Sequence, residues 1–282
     1  MSPDRNQVAR ELLAFYLEAG VDAVLGETAV DRFADTADIS PPPAIGQPAN
    51  EAPRASEPGN RPAMDCGRPA TVAVAAPAPL SPDTAVMAAR EEAKNAETLD
   101  ALRSILEGFT GCTLRATATR LVFADGNPQA RVMFVGEAPG RDEDIEGLPF
   151  VGRSGKLLDR MMAAIGLTRA NAYIANIVPW RPPGNRTPTP QESAICLPFT
   201  LRQIELVDPD VLVCLGGPSA QTLLGSREGI LRTRGRWFGF QTGSREIRAT
   251  ATLHPAYLLR QPLQKRLAWR DFLAIKKALK PT

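Results

Sequence analysis

No apolar run in this 282-residue chain approaches the length of a membrane span. Its opening Ser2-Pro3-Asp4 lacks the basic stretch and apolar core of a secretory signal. Cysteine is scarce: Cys66, Cys112, Cys196 and Cys214 stand at scattered positions without the spacing of a secreted disulfide framework. A cytoplasmic location with reduced thiols is the expectation. Net charge is also small, at +2, but it conceals an asymmetry. Residues 1–100 carry 8 Lys/Arg against 16 Asp/Glu, and residues 101–282 carry 25 against 15. The second part is a basic body whose cations are mostly Arg, a composition suited to bidentate phosphate contacts.

Three regions follow from composition and periodicity. Residues 1–33 place Val8, Leu12, Leu13, Tyr16, Leu17, Val21, Val24 and Leu25 at helical spacing, which predicts an N-terminal helical segment with an exposed apolar face. Residues 34–84 turn to Pro, Ala, Ser and Gly, with eleven prolines from Pro41 to Pro82, and are predicted to be a disordered linker. Residues 85–282 form the folded domain, helical again over 85–109. Past Thr119 the order becomes strand–helix, with strands predicted at 131–135, 172–178, 210–215 and 247–253. Helices are predicted at 155–165, 189–206, 218–224 and 265–279. Thr189-Pro190-Gln191-Glu192 is a helix start: an N-cap, Pro at the first helical position and an acid in the first turn. This alternation specifies a three-layer α/β fold, a central four-stranded parallel sheet flanked by helices.

The most informative stretch runs from Arg131 to Gly152. The apolar run 132–135 ends at a Gly/Pro turn, acids follow, and Phe150 is held between Pro149 and Gly152. A buried strand thus delivers a rigid loop to the edge where open α/β sheets bind ligands. The loop offers carboxylates and a stacking ring but no Gly-Lys-Ser/Thr, so it is not a phosphate-cradling P-loop. A flat polar heterocycle, a nucleobase first of all, suits such a pocket. Each later strand also ends on something chemically useful: Asn176 in the second, Gly216-Gly217-Pro218-Ser219 after the third, His254 after the last.

Taken together these pieces resemble the family 4 uracil-DNA glycosylases over about residues 100–280. The matching motifs are Gly136-Glu137-Ala138-Pro139-Gly140, Glu143-Asp144, Pro149-Phe150-Val151-Gly152 and Ile174-Ala175-Asn176-Ile177-Val178. After these come Arg181-Pro182-Pro183, Asn185-Arg186 and His254-Pro255-Ala256-Tyr257-Leu258-Leu259-Arg260. The resemblance implies a monofunctional DNA repair enzyme that flips uracil out of DNA and hydrolyses its N-glycosidic bond. Phe150 would stack on the base, Asn176 would read its O4/N3 edge, and Gly136 and Ala138 would line the pocket. His254 would stabilise negative charge at O2, while Glu137 and Glu143 are candidates for orienting water or holding the loop. Tyr257, Leu258, Leu259 and Arg260 would form the loop that wedges into DNA, Leu258 or Leu259 supplying the apolar wedge. Arg181, Arg186 and Arg260 would contact phosphates. The competing reading is a weakly catalytic or non-catalytic paralogue that binds uracil-containing or single-stranded DNA.

The resemblance also implies a 4Fe–4S cluster held by four cysteines. Cys112 and Cys196 stand at two ligand positions, but Arg115 and Trp180 stand at the other two. Cluster-free protein is therefore the expectation, with Arg115 and Trp180 stacked as a cation–π pair. The expected partners are uracil-containing DNA and a protein docking on the N-terminal helix, and the expected state is a monomer.

Overall fold

The computed structural model describes residues 82–280. The N-terminal helical segment, its docking role, Cys66 and nearly all of the predicted linker lie outside the described residues. In chain order the elements begin with α1 (Pro82–Lys94), α2 (Leu99–Gly108), α3 (Leu114–Thr117), β1 (Asp125–Gly126) and β2 (Val132–Gly136). They continue with α4 (Arg141–Glu146), α5 (Arg153–Ala164), β3 (Tyr173–Asn176), α6 (Pro190–Val207) and β4 (Val211–Leu215). The last are α7 (Gly217–Leu224), α8 (Ile230–Thr233), β5 (Trp237–Gln241), β6 (Glu246–Thr252), α9 (Pro255–Arg260) and α10 (Lys265–Ala278). The helical stretch predicted over 85–109 is two helices, because Thr98 starts a new one by accepting the N–H of Ala101 at 3.1 Å.

One sheet runs in the order β1-β3-β2-β4-β6-β5. Its four inner strands are parallel, as the strand–helix alternation predicts, and antiparallel β1 and β5 extend it at the edges. Side-chain alternation in β2 divides the core. Met133 and Val135 join one apolar cluster, with α1, α2 and α6 packed over it. Val132 and Phe134 join the other, under α5 and α10, where Phe134 stacks on Phe272 with centroids 5.9 Å apart. Both faces are covered, so the inner strands read as continuous apolar runs rather than alternating ones. Each fully buried Leu or Phe contributes about 1.5–3 kcal/mol through this burial.

The chain leaves β2 for β3 on one side, then crosses back to β4 on the other. A reversal of this kind opens a crevice at the carboxyl ends of the strands. No helix among the described residues is long and apolar enough to cross a membrane.

Candidate active site

The crevice is a cavity of about 220 Å³ built from the ends of three strands. Glu137, Ala138 and Phe150 come from the segment after β2, Asn176 from the last residue of β3, and His254 from the residue before α9. Gly136 makes their approach feasible. A Cβ there would lie 2.4 Å from Asn176 Oδ1 and 2.7 Å from Phe150 Cζ, so any side chain would push ring and amide apart.

Phe150 is buried and has φ of +56°, a left-handed conformation that costs a bulky residue about 1–2 kcal/mol. Several contacts hold it there. Gly155 in α5 lies so close that a Cβ would overlap the Phe150 carbonyl at 1.6 Å. Arg169, in the turn before β3, donates Nη2–H to that carbonyl at 2.5 Å and Nη1–H to the Pro149 carbonyl at 3.1 Å. On the pocket side the ring faces the imidazole of His254, with centroids 5.6 Å apart.

His254 caps α9: its Nδ1 accepts the N–H of Ala256 at 3.1 Å. An accepting Nδ1 leaves the proton of the neutral ring on Nε2. Burial, with the positive charge of Arg260 as a smaller contribution, pushes its pKa down to about 4. The imidazole is therefore a neutral donor at physiological pH.

The two acids behave differently. Glu143 at the third position of α4 accepts the N–H groups of Gly140 (3.1 Å), Val151 (3.1 Å) and Gly152 (3.0 Å). Its carboxylate thus ties the start of α4 to the start of α5. Its neighbour Asp144 is also structural, accepting the Thr119 N–H at 2.8 Å and the Thr119 hydroxyl at 2.9 Å. Glu137 is different. Its Oε1 is buried without a protein partner, and burial raises its pKa above the ordinary carboxylate value. Asn176 Oδ1 is likewise buried and unpartnered, in a residue only 4% exposed. Leaving a buried polar atom unpaired costs about 1–3 kcal/mol, so both atoms have hydrogen-bonding capacity left for whatever enters the cavity.

The cations predicted to meet DNA fall into two groups. Arg181 donates Nε–H to Asn185 Oδ1 at 2.7 Å and lies 3.8 Å from Asp144. Arg186 is paired through both terminal nitrogens with Glu192, at 2.8 and 2.7 Å. These two arginines thus shape the loop before α6. Arg260 is exposed, and with Arg141, Arg153 and Leu259 it bounds a groove of about 490 Å³ that runs out from the cavity. Arg141 and Arg153 escaped sequence reasoning because neither lies in a motif. Tyr257 borders a neighbouring depression shared with His254. Leu258 corrects the sequence reading: it is fully buried against Leu253 and Ala268, because α9 is a helix that turns that side chain inward. Leu259, 36% exposed, is the residue of the pair that reaches solvent.

Cys112 and Cys196 are both buried, with Sγ atoms 3.9 Å apart. Trp180, 2% exposed, fills the same apolar cluster. Arg115 does not stack on it, a second correction. Its guanidinium is exposed and donates to the Glu107 carbonyl at 2.7 Å, an orphan acceptor at the end of α2. Cys214 lies within β4, its pKa pushed up to about 12 by burial. Among the described residues no three His, Cys, Asp or Glu side chains group as metal ligands, and a buried indole with two thiols does not fit a four-thiolate cluster.

The strand ends thus bring an amide with an unpartnered oxygen, an aromatic ring and a neutral imidazole into one cavity. The family model described as the uracil DNA glycosylase superfamily matches residues 123–273, and the chain belongs to that superfamily. Several of its relatives carry the type-4 name. The chain is 40% identical over 183 residues to the type-4 uracil-DNA glycosylase of Archaeoglobus fulgidus, covering 64% of this chain and 92% of that one. It is 41% identical over 165 residues to the enzyme of that name from Thermotoga maritima, covering 58% and 84%. With that of Saccharolobus solfataricus it shares 37% over 188 residues, covering 65% and 87%.

Proposed function

We propose that this protein removes uracil from DNA by hydrolysing the N-glycosidic bond, leaving an abasic site. The observation that carries this reading is the buried, unpartnered Oδ1 of Asn176 beside the ring of Phe150. Uracil presents N3–H and O4 on one edge, which match the acceptor and donor of an amide, whereas cytosine presents the reverse pattern. Stacking on an aromatic ring contributes roughly 1–3 kcal/mol per base, against the few kcal/mol that flipping a nucleotide out of the stack costs.

As N1–C1′ breaks, the bonding pair leaves with the ring and negative charge gathers on the uracil oxygens. His254 donates Nε2–H toward O2, which stabilises that anion in a cavity screened from water. Water adds at C1′, one of its protons passing to Glu137, whose unpartnered carboxylate faces the cavity. Glu143 keeps the loop in shape. Leu259 fills the space the flipped nucleotide leaves, while Arg141, Arg153 and Arg260 meet phosphates along the groove. None of these steps uses an iron–sulfur cluster, and the proposal is that the protein works without one. A cytoplasmic site of action agrees with the DNA substrate.

Incubation with a uracil-containing oligonucleotide followed by hot alkali tests the reading. Strand breakage at uracil is the expected result; a shifted band on a gel without breakage would make the protein a binder.

A further inference from the structure

Arg169 lies outside the cavity, yet it grips the backbone on which the cavity depends. Its guanidinium donates to the carbonyls of two consecutive residues, Pro149 and Phe150. Its remaining donors meet Asp125 at 2.5 Å and Asp159 at 2.9 Å. Asp159 stands on α5. Asp125 stands on β1, the two-residue edge strand that pairs with β3. The planar fork of an arginine is filled on every side, so the group is fixed as a bracket between the sheet edge, a helix and the loop.

The loop needs such a bracket. At φ of +56° Phe150 is under strain toward the ordinary negative region, and the hydrogen bonds from Arg169 are among the contacts that oppose its relaxation. That rotation would swing the ring off Gly136 and away from His254. An ion pair that served only as a staple between elements would have no reason to end on this carbonyl.

We propose that Arg169, braced by Asp125 and Asp159, is a positioning residue that sets the plane of Phe150 and so tunes binding of the base. The proposal deepens the uracil-excision reading and rests on it for the identity of the base. Its spectroscopic test stands apart from that reading. His254 is the sole histidine of the chain, and its ring lies beside that of Phe150, so its proton resonances report the ring current of Phe150 without ambiguity.

The experiment compares wild type, Arg169→Ala, Arg169→Lys, Asp125→Asn and Phe150→Ala. It measures single-turnover uracil release, inhibition by free uracil, affinity for uracil-free DNA and the His254 resonances. For Arg169→Ala the expected results are shifted His254 resonances, a rate lowered roughly tenfold to hundredfold, and weaker uracil inhibition. Affinity for uracil-free DNA stays unchanged, because Arg169 does not line the groove. Arg169→Lys keeps the charge on a single nitrogen but loses the planar fork, and recovers part of the rate. In the Phe150→Ala background, Arg169→Ala adds little further loss, since the ring it positions is gone.

Should Arg169→Ala not fold, Arg169→Lys and Asp125→Asn carry the same measurements. A folded variant with unshifted His254 resonances and the wild-type rate overturns the proposal, and so do losses that add fully to those of Phe150→Ala. A wild-type protein that releases no uracil would count against the excision reading alone, while the His254 resonances still decide the role of Arg169.

Discussion

His254 Nδ1 accepts the backbone N–H of Ala256, so the one N–H proton of the neutral ring sits on Nε2, in a residue that lines the cavity. One hydrogen bond therefore both caps α9 and selects the tautomer that can donate to a departing base. Replacing His254 by Ala should lower uracil release by roughly 10²–10³-fold, the usual effect of deleting one donor to a developing oxyanion. The accompanying loss of a helix cap costs about 1 kcal/mol, so thermal melts should move only slightly. Single-turnover kinetics and melting curves measured on the same samples check both parts.

The same bond sets a pH dependence. The folded His254 titrates at about 4, below its ordinary value of 6.5, because burial disfavours the cation. Between these values the unfolded chain binds the proton and the folded chain does not. The contribution is thus fully present above pH 6.5 and declines as pH falls toward 4, by about 3 kcal/mol in all. Melting curves over this range should fall more steeply toward acid in wild type than in His254→Gln. Proton NMR of the single histidine should find its midpoint near 4.

Asn176→Asp exchanges an amide, donor and acceptor together, for a carboxylate that only accepts when ionised. Release of uracil should fall roughly tenfold to hundredfold, the effect of one lost buried hydrogen bond. The ratio of uracil to cytosine release should narrow, which parallel assays on the two oligonucleotides measure directly.

The two loop acids should separate cleanly. Glu143→Gln weakens three backbone hydrogen bonds to a charged acceptor, each worth about 1.5–3 kcal/mol, so its main effect should be a lower melting temperature. Glu137→Gln removes a buried charge that no protein group pairs, so the melting temperature should hold or rise while the excision rate falls. The ionised base predominates only above its raised pKa, so the wild-type rate should climb with pH through that value. In Glu137→Gln that limb should be missing from the pH–rate profile.

Anaerobically purified protein should contain neither iron nor acid-labile sulfide. About four irons per chain, the content of one 4Fe–4S cluster, would overturn the cluster-free proposal.

The inner sheet was legible because each parallel strand is an apolar run closed by a turn, with a chemical group at its end. The edges were not. β1 is two residues long, too short for any period, and β5 reads Trp-Phe-Gly-Phe-Gln, of which only Phe240 is buried. Asn176, Phe150 and His254 could be singled out from motif order alone. Which of Glu137 and Glu143 is tied into the loop could not, because it depends on which carboxylate the backbone of residues 140–152 folds around. Leu258 and Leu259 were interchangeable as letters, and only the helical turn of α9 separates the buried one from the exposed one. Arg169 sits in Thr-Arg-Ala-Asn, which reads as a surface turn; its partners lie 10 to 44 residues away in the chain.

Trp180 has a further consequence. On the cluster-free proposal, a core that holds an indole and two thiols in one apolar cluster is finished when the polypeptide has folded. Such a protein waits for no assembly machinery to deliver iron and sulfide, and has no valence state for oxygen to change. Its maturation depends on the chain alone, and it should be equally competent in cells starved of iron.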